Sequence, residues 1–186
     1  MHIPDGFIDI PTSAAFAAIA AVGVAASLKG AKSSLDDKTA PLAGLTATFI
    51  FAVQMLNFPV AAGTSGHLLG AALATVLVGP YAATLAITIV LLLQALLFAD
   101  GGLSALGLSV FNMSIVAVWV SYAIFLLVKK ILPKTKSSVT AAAGVAAVIS
   151  VPAAAASFVL QYAIGANATF SVSSVLAAMV GTHILI

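Results

Sequence analysis

Residues 81–98 read YAATLAITIVLLLQALLF, a run of eighteen residues that contains no charged side chain. Such a run predicts a membrane-spanning helix, because a helix that crosses the hydrocarbon core needs about 20 apolar residues. Working outward from this run, six more apolar segments lie at roughly 12–28, 41–57, 67–79, 104–128, 138–164 and 172–186. The sequence therefore predicts an all-α, polytopic membrane bundle of about seven transmembrane helices.

The overall composition agrees with a membrane protein. Of the 186 residues, 62% are hydrophobic and 6% are charged, whereas a soluble domain carries about 25% charged residues. The apolar runs are too long and continuous for an outer-membrane barrel, whose strands alternate over roughly ten residues. Cysteine is absent, so a metal ion would be held by nitrogen or oxygen. We interpret residues 1–186 as one transmembrane domain in a lipid bilayer, with no nucleic-acid partner.

The positions of the lysines predict the topology. They fall in two loops, after the first and fifth segments: Lys29, Lys32, Lys38, Lys129, Lys130, Lys134 and Lys136. Seven crossings place both loops on one side, which the positive-inside rule makes cytoplasmic, whereas a six-span count that merges 67–98 would separate them. Gly79-Pro80 predicts a break between 67–79 and 81–98. We therefore expect seven spans, an extracellular amino terminus and residue 186 on its way inward.

The chain starts Met1-His2-Ile3-Pro4-Asp5-Gly6, and this start is a candidate chelate. The terminal amine, the Met1–His2 amide nitrogen and the His2 imidazole can bind one metal ion through a five-membered and a six-membered ring. Such rings favour a planar four-nitrogen site, which suits Ni(II) or Cu(II). Pro4 and Gly6 are expected to bend the metal-binding segment 1–11 back into the bundle. No basic stretch precedes Asp5 and Asp9, so we expect no cleaved signal peptide.

His67 is the candidate for the fourth nitrogen. It follows Gly63-Thr64-Ser65-Gly66, and we expect it to open a short helix beneath an irregular loop over 58–66, on the same side as the amino terminus. An ionisable residue in a membrane segment is a functional candidate by default. The alternative is a structural histidine that is hydrogen-bonded inside the bundle.

Further polar residues are candidates for the surroundings of the metal. The candidates for the pocket or its support are Asp5, Gln54, Asn57, Ser65 and His183. The alternative role for Asp5 is helix capping. The candidate roles for His183 are a metal relay, a hydrogen-bond donor inside the bundle and a docking residue. The pairs Ala14/Ala18 and Ala17/Ala21 have the small-xxx-small spacing that lets helices approach closely, within the chain or with another subunit.

Several catalytic and nucleotide-binding motifs are absent from the sequence. No G-x-x-x-x-G-K-[ST] is present, since Gly30-Ala31-Lys32-Ser33 matches only its end. No H-E-x-x-H or G-x-S-x-G motif indicates a protease or an esterase. The chain also contains no glutamate, which makes a proton-coupled carrier hard to build. We expect a protein that is not an enzyme and does not bind ATP by itself.

The M-H-I-P-D-G start, together with Gly66-His67-Leu68 and Gly181-Thr182-His183, resembles the NikM/CbiM substrate-capture (S) components of energy-coupling factor transporters for nickel and cobalt. The resemblance covers nearly the whole chain. It implies that the metal is held by the Met1 amine, the His2 amide and imidazole, and His67. The last apolar segment either ends inside the bilayer or continues beyond Ile186; in the family that the chain resembles, the last helix continues past the histidine.

The resemblance also implies partners and a location. Transport would be driven by a transmembrane coupling (T) subunit, two cytoplasmic ATPase subunits and a small accessory membrane subunit, in the cytoplasmic membrane of a prokaryote. The alanine-rich first helix is the expected docking face for the T subunit. We expect Ni(II) as substrate, with Co(II) for cobalamin synthesis as the alternative. A stand-alone metal channel or carrier, and a scaffold with structural histidines, remain open as other classes.

Overall fold

The structure is a computed structural model that describes residues 1–60 and 64–185. The chain forms helices joined by short loops, with one small hairpin. The helices are α1 (Ile10–Ser34), α2 (Thr39–Gln54), α3 (Ala71–Leu97), α4 (Leu106–Val110), a π-helical segment (Phe111–Val116), α5 (Ala117–Ile131), α6 (Lys136–Gly165) and α7 (Val172–Leu185), and the strands are β1 (Phe58–Val60) and β2 (Thr64–Gly66). The prediction of an all-α membrane fold is confirmed.

Four helices in the described part of the chain are long and apolar enough to cross a membrane. They are α1, α3, α6 and the continuous run Leu106–Ile131, in which α4, the π-helical segment and α5 follow one another without a break. The helices α2 and α7 are apolar but shorter. Many large apolar side chains on these helices are exposed, such as Leu96 and Leu127, as expected where a helix faces lipid rather than water.

Gly79 bends α3 sharply. Its φ of 78° and ψ of 165° are not helical, and Pro80 follows it. Residues on the two sides of the bend meet adjacent residues of α5, since Thr75 Oγ1 lies 3.5 Å from Val118 O and Tyr81 packs edge-to-face on Trp119. The predicted break is thus present, and it divides α3 into two helical arms, residues 71–78 and 80–97.

The link that carries His67 differs from the prediction. His67 does not open a helix, because α3 begins only at Ala71 and Gly70 before it has a left-handed φ of 76°. A Cβ at Gly70 would lie 2.7 Å from the Ile50 side chain, so this link packs closely on α2. The segment 58–66 is also more regular than expected, since β1 and β2 pair antiparallel with Phe58 opposite Gly66. The part of that prediction at 61–63, like the one for residue 186, lies outside the described residues.

Polar side chains cross-link the bundle at the π-helical segment. Ser114 donates to Thr84 O at 2.7 Å and lies 2.8 Å from the Thr88 hydroxyl, while Asn112 donates to Gln161 Oε1 at 2.8 Å. Model peptides suggest about 1–2 kcal/mol for a hydrogen bond of this kind between membrane helices. The bonds hold α3 and α6 to the same turn of the π-helical segment.

The amino-terminal segment 1–9 lies inside the bundle, as predicted for Pro4 and Gly6. Gly6 adopts a left-handed φ of 73°, and Ile3 is fully buried. Phe7 packs on Phe158 and Tyr162 of α6, with ring centroids 5.9 and 5.0 Å apart. Main-chain bonds then tie the segment to the end of α6, with Asp9 N donating to Gly165 O at 2.8 Å. Helix α1 starts immediately afterwards.

Candidate metal site

The amino terminus is buried against the hairpin. Met1 is fully buried, and its amine donates to the main-chain oxygen of Ser65 in β2 at 2.7 Å. Burial lowers the pKa of this amine from 8.0 to about 4, with a smaller opposing effect of Asp100. The amine is therefore neutral at pH 7, which is the state in which it binds a metal ion.

His2 lies against His67. The two ring centroids are 4.8 Å apart, and the planes are tilted by 32°. Burial, and next the charge of the terminal amine, lower the pKa of His2 from 6.5 to about 3. The imidazole is thus neutral at pH 7. A glycine is needed beside it, because a Cβ at Gly101 would lie 3.2 Å from His2 Cβ and Nδ1.

His67 is fully buried and fixed by its own loop. Its Nδ1 lies 3.0 Å from Leu68 O, so Nδ1 carries the hydrogen, since a carbonyl only accepts. Its Nε2 has no hydrogen-bond partner and therefore presents a lone pair. Gln54 steadies the same loop by donating to Leu69 O at 2.7 Å. Gln54 thus supports the His67 loop.

Asp100 lies at the candidate site, although the sequence analysis did not single it out. Its Oδ2 lies 3.5 Å from His2 Nε2, and Asn57 Nδ2 donates to the same oxygen at 3.1 Å. Burial raises the pKa of Asp100, against the effect of the Asn57 hydrogen bond. The signal that was available is a lone carboxylate on the predicted side of the amino terminus, followed by Gly101 and Gly102.

The remaining predicted residues divide into two groups. Asn57 and Ser65 lie at the site through the contacts above. Asp5 instead accepts hydrogen bonds from the Ser104 main chain and hydroxyl at 2.8 and 2.6 Å, which fix the amino-terminal segment to the loop before α4. His183 lies on α7, where its Nδ1 donates to Met179 O at 2.6 Å.

A cavity of about 600 Å³ leads to this place from the loops. Its lining includes His2, Asp5, Asn57 and Asp100. Within residues 1–60 and 64–185, no group of three or more histidine, cysteine or acidic side chains is arranged to hold a metal ion.

The predicted alanine pairs have different surroundings. Ala14, Ala18 and Ala21 are exposed on α1. Ala17 is half-buried, and it packs so closely on Gly107 of α4 that no Cβ would fit there. One face of α1 thus packs within the chain, and three of the four alanines remain on the open face.

Comparison with known proteins identifies relatives that carry metal-transport names. The chain is 44% identical over 131 residues to a putative metal transport protein of Haloquadratum walsbyi, covering 70% of this chain and 60% of that protein. It is 47% identical over 128 residues to a putative fused nickel transport protein NikMN of Archaeoglobus fulgidus, covering 67% of this chain and 41% of that protein. The chain thus matches about half the length of these relatives.

Two further similarities cover more of the chain. A cobalt transport protein CbiM of Sorangium cellulosum is 33% identical over 177 residues, which is 94% of this chain and 77% of that protein. The crystal structure of a truncated transition metal transporter superposes with a TM-score of 0.91 at 29% identity, covering all of this chain and 90% of that one. Residues 2–186 match the family described as the cobalt uptake substrate-specific transmembrane region. The chain belongs to this family, CbiM.

Proposed function

We propose that the chain captures Ni(II) for an ATP-driven importer, in a planar four-nitrogen site. The ligands are the Met1 amine, the His2 amide nitrogen, the His2 imidazole and the His67 imidazole. The observation that carries this proposal is the packing of the His2 ring on the His67 ring, with centroids 4.8 Å apart, next to the buried amino terminus of Met1. These groups are 66 positions apart in the sequence, and the fold of segment 1–9 brings them together.

The donor set fits a late first-row metal. Imidazole nitrogen suits nickel and copper, and planar nitrogen coordination is typical of Ni(II) and Cu(II). His67 Nε2 is already unprotonated and unpaired. The 32° tilt between the His2 and His67 rings is compatible with a flat site, because only the four donor nitrogens need to share a plane. Co(II) is the alternative substrate, because some relatives carry nickel transport names and others cobalt transport names.

Asp100 has a positioning role in this proposal. A metal-bound histidine usually donates its other ring N–H to a carboxylate or a carbonyl oxygen. Asp100 Oδ2 lies 3.5 Å from His2 Nε2, which has no hydrogen-bond partner, and a small movement would let it accept that hydrogen. Donation from Nε2 leaves the Nδ1 lone pair for the six-membered chelate ring.

The proposed topology has seven crossings and an extracellular amino terminus. The bend at Gly79 supports this topology, because the parts of α3 before and after it contact adjacent residues of α5. In the proposed topology the first part is a short crossing and the second part is a long one. This arrangement returns both lysine loops to one side, the cytoplasmic side. The cavity beside His2 then opens to the outside, where a captured ion would enter.

The proposed partners supply the energy. The sequence lacks a P-loop, so ATP would be hydrolysed by two cytoplasmic ATPases coupled through a transmembrane T subunit, with a small accessory membrane subunit. The exposed alanines Ala14, Ala18 and Ala21 of α1 form a smooth surface for the T subunit. The setting is the cytoplasmic membrane of a prokaryote.

Removal of the fourth ligand tests the proposal. In protein with a native, untagged amino terminus, His67→Ala should weaken Ni(II) binding by about 100-fold or more, in line with the loss of a metal ligand. Isothermal titration calorimetry measures this, and Thr48→Ala on the exposed face of α2 is the matched control. Equal Ni(II) affinity in His67→Ala and the unmodified protein would rule out the four-nitrogen site.

A further inference from the structure

His183 is a buried histidine with one ring nitrogen, Nε2, that lacks a hydrogen-bond partner. It lies on α7 with 2% of its surface exposed. Its Nδ1 donates to Met179 O at 2.6 Å, one turn earlier in the same helix. Its Nε2 is buried without a hydrogen-bond partner. A histidine kept only for the bond to Met179 O would leave this nitrogen unsatisfied, which burial penalises.

The arrangement repeats that of His67. In both residues Nδ1–H points to a main-chain oxygen, of Leu68 in one case and Met179 in the other. This bond selects the tautomer whose lone pair is on Nε2. Metal-binding histidines almost always have their other nitrogen held in this way. His183 is therefore prepared to bind a cation through Nε2.

The elements that carry the two histidines pack together. Helix α7, which carries His183, contacts both strands of the hairpin that precedes His67. His183 also borders a cavity of about 280 Å³ whose lining includes Leu68, Gly70 and Ser150. The loop that follows His67 thus forms one wall of the cavity, and His183 forms part of another wall.

We propose that His67 and His183 form a second, weaker cation site, which takes the ion from the amino-terminal chelate. This proposal rests on the proposed function. His67 belongs to both sites and stays bound during the transfer. The ion loses its bonds to the Met1 amine and to the His2 amide and imidazole, and it gains one to His183 Nε2. The amide nitrogen takes back a proton from water, water fills the remaining positions, and no oxidation state changes.

The low affinity of the second site suits it to the release of the ion from the chelate. A chelate with linked rings releases its ion slowly when all ligands must leave together, and an imidazole beside His67 allows the ligands to be exchanged one at a time. With two imidazoles and no acidic side chain, the second site cannot retain the ion as the chelate does. The second site would therefore bind the ion transiently after it leaves the chelate.

The test disrupts the chelate and measures the Ni(II) binding that remains. One glycine added before Met1 displaces the terminal amine. This extended protein should retain about one weakly bound Ni(II), and His183→Gln should remove most of that residual affinity, about tenfold or more. Glutamine can still donate to Met179 O, so the helix contact is preserved. Thr182→Ala, one position earlier on α7, is the matched control and should keep the residual binding.

A second readout uses the native amino terminus. His183→Gln should leave the equilibrium affinity for Ni(II) within about twofold but slow its transfer to an added chelator. His183→Leu should do the same and serves if the glutamine variant folds poorly by size-exclusion chromatography. The inference is overturned if the extended protein retains no Ni(II), or if its residual binding survives both substitutions. Absence of tight Ni(II) binding by the native protein would instead overturn the proposed function.

Discussion

At the scale of single residues, burial favours the neutral form of two of the proposed ligands. The Met1 amine and the His2 imidazole have pKa values of about 4 and 3 in the metal-free protein. Both are therefore unprotonated at pH 7, and binding needs to displace only the proton of the His2 amide. Preorganisation of this kind raises affinity, because the cost of deprotonation has been met by folding.

Gly101 is the residue whose substitution should perturb His2 most directly. Gly101→Ala adds a Cβ 3.2 Å from the His2 ring and places alanine at a φ of +95°, a conformation that costs an L-residue about 1–2 kcal/mol. We expect Ni(II) affinity to fall by about tenfold or more, because His2 must move.

Ni(II) titration of the purified protein checks this expectation. Gly144→Ala on α6 is the matched control, since a Cβ there meets nothing within 4 Å and φ is not left-handed. Unchanged affinity in Gly101→Ala would show that the position of the His2 ring is not important for binding.

The sequence predicts the local part of the candidate site, but it does not predict contacts between distant residues. The Met1–His2 chelate follows from adjacent residues, and His67 was identified because histidine is rare in this chain. Asp100 and Gly101 carry only the local sequence signal of a turn. Their contact with His2 joins residues almost a hundred positions apart, and no local pattern reports such a contact.

At the scale of elements, the amino-terminal segment 1–9 behaves as an additional packed piece of the bundle. Phe7 stacks on Phe158 and Tyr162, and Asp5 is held by Ser104. Gly102 N donates to Ile3 O at 2.8 Å, which ties the segment to the loop of Asp100. The segment is thus held from two sides while its first two residues reach the metal site.

Docking of this segment should weaken in acid. The amine has a pKa of 8.0 when undocked and about 4 when docked, so the undocked form binds the extra proton between these values. Docking is therefore complete above pH 8 and should lose about tenfold in its equilibrium constant per pH unit below it. Below pH 6.5 the His2 imidazole adds a further loss, since its pKa is about 3 when docked.

Hydrogen exchange of residues 1–9, corrected for intrinsic exchange rates, measures this docking. Protein with an acetylated terminus is the control, because its blocked amine does not titrate and the loss between pH 8 and 6.5 should disappear. Protection that is constant from pH 8 to pH 5 in the unmodified protein would contradict the burial of a neutral amine.

Element boundaries were harder to predict than element positions. The apolar segments mark the helices because their hydropathy is local, and Gly79-Pro80 marks the bend because both residues disfavour a straight helix. The hairpin of β1 and β2 was missed, since three-residue strands carry almost no periodic signal. The start of α3 was placed too early for a related reason: Leu68 and Leu69 are apolar but lie in the link after His67.

At the scale of the whole molecule, the proposed topology is directly testable, because the chain contains no cysteine. Single cysteines can be introduced at two exposed serines, Ser33 in the last turn of α1 and Ser171 before α7. In intact cells, a membrane-impermeant maleimide should label Ser171→Cys and not Ser33→Cys, and both should be labelled after permeabilisation. The reverse pattern, or labelling of both in intact cells, would contradict an extracellular amino terminus.

The central claim is that the free amino terminus itself binds the metal ion. The most direct measurement is the Ni(II) dissociation constant of the unmodified protein, compared with that of protein carrying one extra glycine before Met1. The extension leaves every side chain in place and moves only the amine and the chelate register. We predict that the extended protein binds Ni(II) at least about 100-fold more weakly, and equal affinities would contradict the claim.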